Sequence, residues 1–179
     1  PHPPELGGWQ FLGSFSAKDS NEAFNKDFGP EKGVDLKKEY GGKKWKARKY
    51  EDGKVHTIGL PEKSASYFYR MVKSPNAQKV GVSLGSDDGI KVFLNGKQIL
   101  ANNANRGPAA DQEKTELELA KGDNHLLIKI VNNGGQGGMY FKLGGSSLPK
   151  EVLANLGQDV LSAEHVAKLR EYYEKSVWP

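Results

Sequence analysis

A chain of 179 residues is long enough for one well-buried core with a small appendage, and short for two full domains. With 36% apolar residues, 27% charged residues and 22 glycines it reads as a soluble, loop-rich protein, and no apolar run approaches the roughly 18 residues of a membrane helix. The net charge of +4 comes from dispersed groups, and the absence of cysteine excludes disulfides, thiol catalysis and Cys-based zinc sites.

In chain order, residues 1–8 (PHPPELGG) are rich in Pro and Gly and read as a linker stub. The start at Pro1 without a Met reads as an excised piece or a processed product. Trp9, Phe11, Leu12 and Phe15 predict a first strand, and the polar residues 18–33 a long loop or a single helical turn. Strands follow over Trp45 to Tyr50 and Val55 to Leu60, around an Asp52-Gly53 turn, and over Ser66 to Val72. In KVGVSLGSDDGIKVFLNGKQIL (79–100), Val80, Val82 and Leu84 alternate, Gly85 to Gly89 predict a break, and Ile90, Val92 and Leu94 alternate again. Asn95-Gly96 is the clearest turn, because both central residues of a type I′ hairpin need positive φ.

Two more strands are predicted over Thr115 to Leu119 and His125 to Val131. Leu126-Leu127-Ile128 is apolar on both faces, which predicts a central position. Met139 to Leu143 would then close an all-β antiparallel sandwich over residues 9–143. Beyond the spacer Gly144-Gly145-Ser146-Ser147, residues 144–179 predict a C-terminal helical hairpin. Its second helix is capped by Ser162 and carries Val166, Leu169, Tyr173 and Val177 at helical spacing, with Trp178 packing the pair. The hairpin would lie on the sandwich or lead to a neighbouring domain of the same polypeptide.

The ordered series LGSDDGIKVFLNGKQI, NRGPAADQ, LAKGDNHLLIKIVN and GGMYFKL resembles the galactose-binding-like jelly-roll modules found beside glycoside hydrolases and in large secreted bacterial proteins. The SDDG-strand-NGK element is also similar, more distantly, to PA14 modules. The tail LPKEVLANLG…SAEHVAKLREYYEKSVWP resembles the helical segment after such a module in very large planctomycete proteins carrying a cytochrome-c-like domain. These resemblances span roughly Gly29 to Pro179. They imply a jelly-roll β-sandwich, carbohydrate as the partner, and a secreted or periplasmic location.

Asp87-Asp88 sits between two strands and has three readings: a Ca²⁺ pair, the role this dipeptide has in PA14 modules, a contact to sugar hydroxyls, or a turn whose carboxylates bond their own backbone. Asn102, Asn103, Asn105 and Arg106 form a polar loop before Asp111-Gln112; amides and guanidinium suit sugar hydroxyls, and an Arg106–Asp111 pair would staple the loop. Asn132, Asn133 and Gln136 lie in a Gly-rich loop that lacks the Lys-Ser/Thr and following helix of a phosphate cradle, so a rim loop is the better reading. Strand aromatics are mostly core, but Trp45, between Lys44 and Lys46, is the best candidate for an exposed stacking ring, with Tyr50 beside it.

The basic run from Lys37 to Lys49 reads as a solvated face; an acidic polysaccharide is the alternative, and no nucleic-acid or membrane partner is expected. His2, His56, His125 and His165 show no metal spacing, and no Ser lies in a nucleophile elbow. The leading expectation is a non-catalytic carbohydrate-binding module with no cofactor beyond the candidate Ca²⁺. A ligand-free spacer and an undetected hydrolase are the alternatives. In a jelly roll, the three polar loops around Asp88, Asn103 and Asn133 would gather on one rim.

Overall fold

Period-two alternation gives each strand two faces, and the computed structural model, which describes residues 2–144, stacks those faces into two antiparallel sheets. The strands are β1 (Glu5–Leu6), β2 (Trp9–Ser16), β3 (Lys46–Arg48), β4 (His56–Thr57), β5 (Ser64–Ser74), β6 (Gln78–Asp87), β7 (Gly89–Leu94), β8 (Lys97–Asn102), β9 (Glu113–Leu119), β10 (Gly122–Asn132) and β11 (Gly138–Leu143). Among the described residues there is one short helix, α1, over Ser20–Asn25. The larger sheet runs β3-β2-β5-β10-β7-β8, with β1 also paired to β5, and the smaller runs β4-β11-β6-β9. The predicted all-β sandwich is the fold observed. The predicted C-terminal helical hairpin lies outside the described residues.

The inner faces meet in one apolar core that includes Phe68, Val82, Leu84, Ile90, Val92, Leu117, Ile128, Ile130 and Phe141. β10 pairs with β5 along Gly122 to Asn132 and with β7 along Leu126 to Val131, so the strand apolar on both faces is indeed central. Asn95 (φ 52°) and Gly96 (φ 81°) make the two-residue turn between β7 and β8.

The larger sheet is covered on its outer face as well. Leu12, Phe15, Tyr67, Tyr69, Phe93 and Leu127 form a second buried cluster beneath Phe28, Val34, Tyr40 and Trp45 of the long β2–β3 connection. This connection is anchored at Lys129, which is fully buried. Its ammonium donates to Phe24 O (3.1 Å), Lys26 O (2.5 Å) and Glu31 Oε2 (2.7 Å). The first two are carbonyls at the end of α1, where a helix leaves acceptors unsatisfied. At the other end of α1, Asp19 caps Glu22 N and Glu22 reaches back to Lys18 N.

Three expectations change. The stretch read as a linker stub is tied to β5 over residues 5–7: Glu5 and Leu6 pair with Lys73 and Val72, Gly7 N donates to Met71 O, and Arg70 Nε donates to Gly7 O. An unpaired edge of β5 offers backbone partners that composition does not reveal. The strand expected over Val55 to Leu60 shrinks to His56–Thr57. The break expected over Gly85 to Gly89 narrows to Asp88, since β6 runs to Asp87 and β7 starts at Gly89. Among the described residues no helix is long and apolar enough to cross a membrane.

Candidate functional site

Between β6 of the smaller sheet and β7 of the larger one the chain has a single residue, Asp88, in which to change sheets. That crossing places Asp88 at the end of the sandwich, only 4% exposed. Its N–H donates to Val131 O (2.7 Å) and its carbonyl accepts from Ser86 Oγ (2.7 Å). Its carboxylate then joins two loops: Oδ1 accepts Arg106 N–H (2.9 Å) and Oδ2 accepts Asn133 N–H (2.7 Å). Bonds from N–H groups to a carboxylate are the strong kind.

The loop carrying Arg106 is fixed further by residues absent from the sequence expectation. Arg106 bonds Glu113 Oε2 (2.7 Å) and Ser86 Oγ (3.0 Å) through Nη2, so its partner is Glu113 and not the predicted Asp111. Glu113 Oε2 also accepts Asn102 Nδ2 (2.8 Å). Asp111 instead accepts Ser83 Oγ (2.6 Å). Gln112 bridges Ser86 N–H and Gly107 O. The sequence reading did not single out Glu113, because its charge partner depends on how the loop folds back.

Gly85 explains that fold-back. A Cβ there would lie 1.9 Å from Ala109 O, so the glycine is the seat on which the loop rests. The glycine read from sequence as a strand breaker is a packing site inside β6.

Asn132 is fully buried, with Nδ2 directed at Leu60 O (2.8 Å), Pro61 O (3.1 Å) and Gly135 O (3.1 Å); its Oδ1 is buried without a partner. Asp88, Arg106, Asn102, Asn132 and Asp111 are therefore committed to holding the rim. Exposed on the same loops are Asn103, Asn105, Asn133 and Gln136, with Asp87 half-buried. Asn103 Nδ2 donates to Asn21 Oδ1 (2.9 Å) in α1. Burial, then the neighbouring Asp88 charge and a hydrogen bond to it, push the Asp87 carboxyl up to about 6.

The expected stacking platform is not on this rim. Trp45 is half-buried on the outer face of the larger sheet, edge-on to Tyr69 at 6.0 Å, with its indole nitrogen buried. Tyr50 packs edge-on to Phe68 and His56. Lysine flanks suggested exposure for Trp45, but its ring packs against the outer apolar cluster while Lys44 and Lys46 stay exposed.

Asp87 and Asp88 remain a candidate Ca²⁺ pair. Calcium takes six to eight oxygens. The two carboxylates and the orphaned Asn132 Oδ1 are suitable donors. Among the described residues no group of three or more His, Cys, Asp or Glu gathers, so further ligands would be amide or backbone oxygens.

No protein-family model matches the chain, and no curated protein matches it in sequence. Among solved structures it is similar to the PA14 sugar-binding domain from an RTX adhesin (21% identity, 46% of this chain and 49% of that one, TM-score 0.33). It is similar to the PA14 domain of the MpAFP antifreeze protein (13% identity, 83% and 88%, TM-score 0.40). A β-glucosidase from Kluyveromyces marxianus also matches (15% identity, TM-score 0.40), with 62% of this chain spanning 12% of that enzyme. The likeness at these identities is one of fold alone.

Proposed function

We propose that the chain is a carbohydrate-binding module whose ligand sits on the rim organised by Asp88. The observation that supports this reading is the pair of bonds from one buried carboxylate to Arg106 N–H and Asn133 N–H. They tie the loops that carry Asn105 and Asn133 to the residue next to Asp87. Exposed amides and a carboxylate supply directed donors and acceptors for sugar hydroxyls. Neither Trp45 nor Tyr50 stands on this rim to stack on a ring, so affinity should be weak, on the order of millimolar.

In this proposal Asp87, Asp88 and Asn132 hold a Ca²⁺. The ion would neutralise the paired carboxylates and offer remaining coordination positions to ligand oxygens. The resemblance to secreted jelly-roll modules supports placing the chain in an exported multidomain protein. Asp88 and Glu113 hold N–H donors, a role suited to architecture rather than acid–base chemistry.

A second reading, a ligand-free spacer, is favoured by the number of rim side chains bonded to one another. A glycan array with calcium and with EDTA separates the two. Binding that falls in Asp87→Ala, Asn103→Ala and Asn133→Ala supports the rim. Binding unchanged in all three folded variants moves the site elsewhere, and no binding under either condition favours the spacer.

A further inference from the structure

We infer that the outer face of the larger sheet carries a second ligand site, a cavity for a single pyranose ring between the 30–34 loop and strands β7 and β10. It takes its ligand class from the carbohydrate reading but shares no residue with the rim. The six residues of β7 separate Asp88 from Asn95, which puts the cavity roughly 20 Å from Asp88.

The cavity, about 290 Å³, lies just below the small end of ligand pockets, about 300 Å³. Its floor is the cross-strand pair Phe93 and Leu127, and Val34 of the loop adds a further apolar wall. Each is part of the outer apolar cluster, so these surfaces are held in place by packing.

Two polar groups border this apolar surface. Glu31 is 8% exposed and spends Oε2 on Lys129 Nζ and Tyr67 Oη; Oε1 has no hydrogen bond among the described residues. His125 is exposed, with Nδ1 bonded to Tyr69 Oη (2.7 Å) and the ring stacked on Tyr69 at 5.9 Å. That bond orients the imidazole and leaves Nε2 for a ligand. Asn95 fixes the His125 end by accepting its backbone N–H (2.8 Å).

A carboxylate oxygen only accepts, so the ligand must present a donor there. The Glu31 charge is already balanced by Lys129, and Lys32 also lines the cavity, so a hydroxyl suits better than an ammonium. Apolar walls on one side and hydrogen-bonding groups at the border match a pyranose, which has a C–H face and a hydroxyl edge. The volume admits one ring.

The test is amide-resolved NMR titration of the full chain with a panel of free monosaccharides, glucose, galactose, mannose and glucuronate, at up to high millimolar concentration. The expected result is saturable shifts at residues 31–34, 93–96 and 125–127. His125→Ala should weaken that binding about three- to tenfold. Gly33→Trp should abolish it, because a side chain at Gly33 starts in open space and can fill the cavity. Asp87→Ala should leave it unchanged, with melting temperature reporting that every variant is folded. Shifts confined to residues 87, 103–106 and 133 would overturn this site and leave the rim reading standing. Shifts at the cavity that survive both His125→Ala and Gly33→Trp would overturn it too, as would no saturable shift anywhere.

Discussion

Lys129 Nζ lies 2.7 Å from Glu31 Oε2, and this buried pair fastens a long irregular connection to the face of a sheet. The same carboxylate oxygen accepts the Tyr67 hydroxyl, whose ionisation is pushed upward by burial and then by the Glu31 charge. Burial also drives the Lys129 ammonium below the usual lysine range, against the opposing pull of Glu31. Removing one member leaves the other charge desolvated. Glu31→Ala should therefore destabilise the fold by about 3–5 kcal/mol in urea denaturation. The double variant Glu31→Leu/Lys129→Met should recover part of that loss. A single-variant cost below about 1 kcal/mol would show that the connection is not anchored here.

Asp88 is expected to act through geometry. Asp88→Ala removes acceptors from two backbone N–H groups, each such bond being worth about 1.5–3 kcal/mol. Hydrogen exchange should accelerate at Arg106 and Asn133 before any other rim amide, with an overall loss of about 3–6 kcal/mol. Unchanged protection at both amides would remove Asp88 from its role as organiser.

The raised Asp87 ionisation has a defined sign. The folded chain binds this proton more tightly than the unfolded one, near 3.9 when unperturbed. Its contribution is thus fully present below about 4 and lost as pH rises through about 6. In EDTA-containing buffer the melting temperature of the native chain, relative to Asp87→Asn, should fall across that window. Parallel curves for the two proteins would refute the coupling to Asp88.

Gly85 tests the loop seat. Gly85→Ala should cost about 1–3 kcal/mol, since its Cβ meets the Ala109 carbonyl and backbone must shift. Gly107→Ala, with nothing within 4 Å of the new Cβ, is the control and should be nearly neutral. Equal effects in a thermal melt would mean that the clash is relieved without consequence.

Much of the fold was legible because its signals are local. Val80, Val82 and Leu84, and then Ile90, Val92 and Leu94, alternate because successive strand side chains point to opposite faces. Asn95-Gly96 announces its turn because few residues accept positive φ. The three polar loops were also visible, and the structure ties them together at one end through Asp88.

What the sequence alone determined, then, is the alternation, the turns and the central place of Leu126 to Val131, all consequences of backbone sterics and side-chain direction. Tertiary structure decided which polar residues face solvent. Lys129 looks like any strand lysine until α1 and Glu31 close over it. Arg106 finds Glu113 rather than Asp111 because its loop folds back onto Gly85. Trp45 is half-buried against Tyr69 rather than displayed on the rim, since its segment packs on the outer face of the larger sheet. Burial and charge pairing depend on which distant segments arrive at a residue, and the free energy of a polar group changes sign with that arrival.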